Sequence, residues 1–226
     1  MRGRLVAVCG MIGTGKSTLI SGLSRLDPSV VTVAQPPERW KEDPRVLDML
    51  RENPSGRFCG PGEIAFAVQL RLKQQEEEIV PALLQGRDVI CHRYFYCLAA
   101  YYMCFAPAFL RLAYEEASGI IEPDLTIVLD AEPSHVLARH LARRKEVFPY
   151  QLDLQTTVRT RQAYLSLARE HGFMTIDSTK EPPEEVLRKA RQSIERLPEK
   201  ETLTGRFKHV SLPQGLAQPT QDLGLK

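Results

Sequence analysis

No run of 18 apolar residues occurs in the chain, so no segment has the length and apolarity of a membrane-crossing helix. An excess of one charge is missing too. Thirty Lys and Arg stand against 28 Asp and Glu, for a formal net charge of +2, which gives no bulk electrostatic ground for binding nucleic acid or a membrane. Cysteine is sparse and wrongly spaced for zinc: Cys9, Cys59, Cys91, Cys97 and Cys104 form no C-x-x-C pair and no Cys/His cluster. Thiols of this kind, mostly within apolar runs, fit a reducing, cytoplasmic compartment. Met1 precedes two arginines and an apolar run, but a glycine-rich loop follows at once, without the cleavage-type segment of a signal peptide. Internal repeats are absent.

What is present is sharply localised. Gly10-Met11-Ile12-Gly13-Thr14-Gly15-Lys16-Ser17 fits the phosphate-binding pattern G-x-x-x-x-G-K-[ST]. Its glycines let the backbone turn tightly and aim successive N–H groups at phosphate oxygens. Lys16 is placed to reach the β- and γ-phosphates, and the Ser17 hydroxyl to ligand Mg²⁺. The apolar run Leu5–Cys9 before the loop reads as a buried parallel strand, and Leu19, Ile20, Leu23 and Leu26 after it have helical spacing. Strand, loop and helix thus stand in the required order, with Gly10 to Thr18 as the ATP-binding segment.

At 226 residues the chain has the length of one α/β domain with a substantial core. Strands are expected at 30–34, 88–92, 125–130 and 173–176. Helices are expected at 45–52, 63–85, 93–105, 107–118, 133–144, 153–170 and 183–197, with a Gly- and Pro-rich loop at 53–62. This alternation predicts a parallel sheet covered on both faces. From Pro198 onward Gly, Pro and Gln dominate, so 1–197 is expected to be the domain and 198–226 a flexible tail.

From Arg4 to about Ile194 the chain resembles the thymidylate kinase and deoxynucleoside kinase group of P-loop nucleoside and nucleotide kinases. Ile12 in the loop, Gln35-Pro36-Pro37-Glu38-Arg39-Trp40 and Phe66-Ala67-Val68-Gln69 are similar to deoxynucleoside kinase motifs. Pro81-Ala82-Leu83, Val89-Ile90-Cys91-His92-Arg93-Tyr94, Ala100-Tyr101, Glu122 to Asp130, Arg161-Gln162-Ala163-Tyr164-Leu165 and Thr175-Ile176-Asp177-Ser178 are similar to thymidylate kinase motifs. The resemblance implies a three-layer P-loop kinase fold, a five-stranded parallel sheet flanked by helices. It implies ATP as phosphate donor, Mg²⁺ as cofactor and a deoxynucleoside monophosphate as acceptor; a homodimer is compatible with it. Lys16, Arg93, Arg139 and Arg143 are the implied catalytic residues, the two last in a lid at about 139–152 that also contains Arg144. Asp177 is expected near adenine. Gln35, Trp40, Phe66, Gln69, Arg71, Arg93 and Tyr101 are expected at the acceptor.

The chain departs from those motifs at four acidic positions, which here carry Cys9, Ile12, Gln35 and His92. Gln35 accepts no proton, and an imidazole is a poor Mg²⁺ ligand. Phosphoryl transfer asks mainly for positioning and charge stabilisation, and a nucleotide acceptor needs a general base less than a bare nucleoside does. Two alternatives stay open at this point: a deoxynucleoside kinase, and a nucleotide-binding protein of this fold without turnover.

Overall fold

Leu5–Gly10 (β1) is buried along its whole length, which requires partners on both edges and cover on both faces. The structure, a computed structural model, describes residues 2–35, 37, 43–44, 60–142, 153–198 and 207–216. In it β1 pairs in parallel with Val89–His92 (β3) on one side and Leu125–Asp130 (β4) on the other. Val31–Ala34 (β2) and Met174–Asp177 (β5) complete a five-stranded parallel sheet of order β2-β3-β1-β4-β5.

The residues of β1 alternate between two cores. Val6 and Val8 pack with Leu19, Ile20 and Leu23 of Lys16–Leu26 (α1) and with Val186 and Ala190 of Pro183–Glu195 (α8). Leu5, Ala7 and Cys9 face the larger core. That core is covered by Pro61–Gln74 (α2), Val80–Leu84 (α3), Phe95–Phe105 (α4), Leu110–Glu116 (α5) and Leu154–His171 (α7). Pro133–Ala142 (α6) follows β4, and no described helix is long and apolar enough to cross a membrane.

The single helix expected over 63–85 is instead α2 and α3 joined by a π-helical turn, Gln75–Ile79. Pro81 supplies the cause: it has no N–H and crowds the carbonyl one turn back, so the helix widens before it. The Val80 N–H accordingly bonds the Gln75 carbonyl, five residues earlier. The wide turn buries two consecutive glutamines. Gln74 donates to the Ala34 carbonyl at 2.9 Å. Gln75 clamps the 119–121 loop, donating to Gly119 O at 3.1 Å and accepting from the Ile121 N–H at 2.8 Å.

The flexible tail expected from 198 needs correction over residues 207–216. His209 bridges Ile121 in antiparallel fashion, the Val210 N–H donates to Ile120 O at 2.9 Å, and the Glu122 N–H donates to Lys208 O at 2.7 Å. Val210 is buried, and the Phe207 ring lies under the Arg2 guanidinium, 5.2 Å from ring centre to carbon. Four apolar residues, Phe207, Val210, Leu212 and Leu216, dock this strap against the larger core. The expected helix at 45–52, apart from the sequence around it, lies outside the described residues, as do 199–206 and 217–226.

The bottom of the sheet is fastened by ion pairs. Asp124 accepts two bonds from Arg2, at 2.7 and 2.8 Å, and one from the Leu5 N–H at 2.8 Å. Asp88 pairs with Arg4 and accepts from its N–H at 2.7 Å.

Candidate active site

At the opposite, C-terminal end of β1 the backbone turns through Gly10, Gly13 and Gly15, all at positive φ. Gly10 has a second reason to be glycine. A Cβ there would stand 2.4 Å from the Leu129 carbonyl of β4, so the loop lies directly on the neighbouring strand. Gly13 likewise lets the loop pass under Val136 of α6. Thr14, fully buried, ties the loop with a 2.9 Å bond to Met11 O. Lys16 is 5% exposed, its Nζ donating to Gly10 O at 3.0 Å and to Met11 O at 2.5 Å. The ammonium is therefore held across the mouth of its own loop, where phosphate oxygens are the natural competitors for it. Ser17 and Thr18 are exposed at the start of α1, where the helix dipole favours an anion.

Arg93 follows β3 and is the one described non-glycine residue at positive φ, at 72°. Such a backbone costs of order 1–3 kcal/mol and persists where the surroundings dictate it. Here the Arg93 N–H is fixed on Val8 O at 3.0 Å, next to the loop. His92 Nε2 lies 3.4 Å from Ser17 Oγ. Burial first, then the positive charges of Lys16 and Arg93, hold His92 down to about 4, so its ring is neutral at pH 7.

A cleft of about 100 Å³ opens beside the loop. Gly10, Met11 and Ile12 form one wall, Arg93, Cys97, Tyr101 and Phe105 another, and Thr156, Thr157, Thr160 and Tyr164 of α7 the third. Arg93 is the one charged residue among these; no carboxylate of the described residues lines the cleft. Interaction with Cys97, then burial, pushes the Cys9 thiol up.

The structure thus brings Gly10, Met11, Ile12, Lys16, Arg93 and Tyr101 together. Other expected residues are not among those that line the cleft. Gln35 is buried at the end of β2, its N–H on His92 O at 3.0 Å and its Oε1 without a hydrogen-bond partner among the described residues. Phe66 is half-buried and Gln69 exposed on α2. Arg71 donates to Ala67 O at 2.7 Å while its Nε has no hydrogen-bond partner among the described residues; burial, with a smaller contribution from Arg93, lowers its pKa. Arg139 donates to Ser178 O at 2.9 Å, tying α6 to the loop after β5. Asp177 turns into that same loop, accepting from the Thr179 N–H at 2.9 Å. Trp40, Arg143 and Arg144 lie outside the described residues.

Asp130, at the end of β4, is occupied by Arg161, with bonds of 2.8 and 2.8 Å; Arg161 also reaches Glu132 at 2.8 Å. Cys97, Phe105, the threonines and Tyr164 were not among the expected site residues. One sequence signal did mark part of the wall: residues 156, 160 and 164 fall on one helical face.

The thymidylate kinase family model matches residues 9–190. The chain belongs to the thymidylate kinase family. It is 31% identical over 201 residues to a thymidylate kinase of Cereibacter sphaeroides, covering 84% of this chain and 93% of that one. It is 29% identical to a thymidylate kinase of Carboxydothermus hydrogenoformans, covering 81% and 93%. A probable thymidylate kinase of Pyrobaculum aerophilum is 30% identical, covering 85% and 96%. The fold matches the solved structure of a thymidylate kinase from Candida albicans with a TM-score of 0.69 at 20% identity, over 86% of this chain and 92% of that one.

Proposed function

We propose that this chain transfers the γ-phosphoryl group of ATP to a deoxynucleoside monophosphate, with dTMP as the foremost acceptor. The observation that carries this reading is the cleft that opens off the phosphate loop, lined by Arg93 and by no carboxylate among the described residues. A nucleotide acceptor suits such a cleft. Its phosphate is ionised at neutral pH, so one of its oxygens attacks the γ-phosphorus without a base to remove a proton. The bond from the γ-phosphorus to the bridging oxygen breaks and ADP leaves. A nucleoside hydroxyl would need a proton acceptor, and Gln35 stands where a carboxylate would serve.

In this reading the backbone of Gly10 to Thr18 cradles the triphosphate of ATP. Lys16 exchanges its two loop carbonyls for phosphate oxygens, and Arg93 faces the transferring group. Tyr101 lines the acceptor side, with Gln35, Phe66, Gln69 and Arg71 further along it. Arg139 and Asp177 border the donor side with the segment beginning at 139, and the kinase domain of 1–197 carries the 207–216 strap docked on its larger core. A divalent ion, Mg²⁺ by family expectation, fits beside Ser17, whose exposed hydroxyl is an oxygen donor at the loop; when bound it neutralises charge on the phosphates.

A panel of nucleosides and monophosphates with radiolabelled ATP tests the proposal. We expect labelled diphosphate from dTMP, little product from thymidine, and a loss of about a hundredfold or more in Lys16→Ala with circular dichroism unchanged. Thymidine turned over better than dTMP, or a folded Lys16→Ala variant of full activity, overturns it.

A further inference from the structure

The Ser17–His92 contact joins two elements with different chemistry. Ser17 is on the first turn of α1, and β3 delivers His92 beside Val8 of β1 in register. Their Oγ and Nε2 atoms are 3.4 Å apart. Two neighbouring ligands at about 2.1 Å from a shared octahedral ion stand roughly 3.0 Å apart, so little movement would bring both onto one cation. Asp130, the carboxylate on the other strand that flanks β1, has its oxygens taken by Arg161. The described residues therefore turn one hydroxyl and one imidazole toward this point. Oxygen-only donor sets suit Mg²⁺, whereas affinity at a site with a nitrogen donor climbs along the first transition row from Mn²⁺ through Co²⁺.

We propose that Ser17 Oγ and His92 Nε2 ligate the divalent ion that accompanies the bound nucleotide, as a mixed oxygen–nitrogen pair that favours Mn²⁺ or Co²⁺ over Mg²⁺. This rests on the reading of Gly10 to Ser17 as the nucleotide loop, and it concerns metal choice alone, so it is tested without an acceptor. The His92 imidazole presents a ring nitrogen to Ser17 across that gap. The cations beside it, Lys16 and Arg93, are balanced by the phosphates when nucleotide binds.

The probe is Mn²⁺ with ADP on the full-length protein. Pulsed electron paramagnetic resonance should show a nitrogen coupling that changes when the protein carries ¹⁵N-histidine, which separates it from adenine nitrogens. By equilibrium dialysis the protein should prefer Mn²⁺·ADP over Mg²⁺·ADP by more than free ADP does. His92→Ala should weaken Mn²⁺ by about tenfold or more, the loss seen even for residues that merely support a ligand, with Mg²⁺ nearly unchanged. His92→Asp should move the preference back to Mg²⁺. Binding of Mn²⁺·ADP with no histidine coupling and no metal preference overturns this inference and leaves the proposed kinase intact. No binding of Mn²⁺·ADP at all overturns both. The labelled parent protein gives the answer by itself if the variants fail to fold.

Discussion

The two ends of the sheet carry the same kinds of residue and use them in opposite ways. At the bottom every charge named above has a partner: Arg2 with Asp124, Arg4 with Asp88, and Asp124 again with the Leu5 N–H. At the top Lys16 leans on carbonyls, Arg93 takes a costly backbone conformation, and buried polar atoms of Gln35, Arg71 and Gln74 lack hydrogen-bond partners among the described residues. Satisfied polar groups stabilise a fold; groups held short of satisfaction have capacity left for a ligand. The difference separates architecture from chemistry where residue type does not.

Arg93→Gly should separate the two ends most sharply. Glycine adopts φ of 72° without strain, so the melting temperature should hold or rise while turnover falls by about a hundredfold or more. A parallel loss of stability and activity would place Arg93 among the structural residues. Asp124→Ala is the counterpart at the bottom. Losing three charge-assisted bonds to a buried carboxylate should cost about 2–3 kcal/mol, read by urea denaturation, with KM for ATP unchanged. A raised KM would couple the two ends.

Removal of 199–226 tests whether the strap belongs to the architecture. Burying Val210 is worth about 1.5 kcal/mol and the Arg2–Phe207 contact about 0.5 kcal/mol, so the melting temperature should fall by roughly 4–8 °C. An unchanged value would leave the strap without energetic weight. The smallest effect concerns His171, which stacks on Phe173, accepts or donates at 2.9 Å with the Tyr114 hydroxyl, and is held by burial down to about 4. Its unfolded value is near 6.5, so between pH 6.5 and 4 the unfolded chain gains a proton that the folded chain refuses. Stability is complete above pH 6.5 and falls as pH drops toward 4. His171→Phe should flatten that fall in thermal melts across pH 4–7; an unaltered slope assigns it to His92 or to the carboxylates.

The phosphate loop and its flanking elements were legible because they depend on local signals: glycines at fixed offsets, a continuous apolar strand, a 3.6-residue period. The alternation of strands and helices likewise conveyed the parallel sheet. Pairings distant in sequence were not legible. Asp130 and Arg161 are 31 residues apart, and nothing local to either announces that they meet. Asp124, within a motif shared with the kinase group, turned out to fasten the bottom of the sheet. The strap was hidden because four apolar residues among Gly, Pro and Gln have no period to read. The π turn was hidden because Pro81 fits a helix start as well as a widened turn within a helix.

The central position of β1 bears on how the chain is made. It is made before the other strands of the sheet, yet its hydrogen-bonding neighbours are residues 89–92 and 125–130. At bacterial-to-eukaryotic synthesis rates of about 5–20 residues per second, on the order of ten seconds separate the first strand from its second partner. Throughout that interval a strand apolar on both faces has at least one edge without its partner. The nascent chain is then most open to aggregation, and to rescue by a holding chaperone.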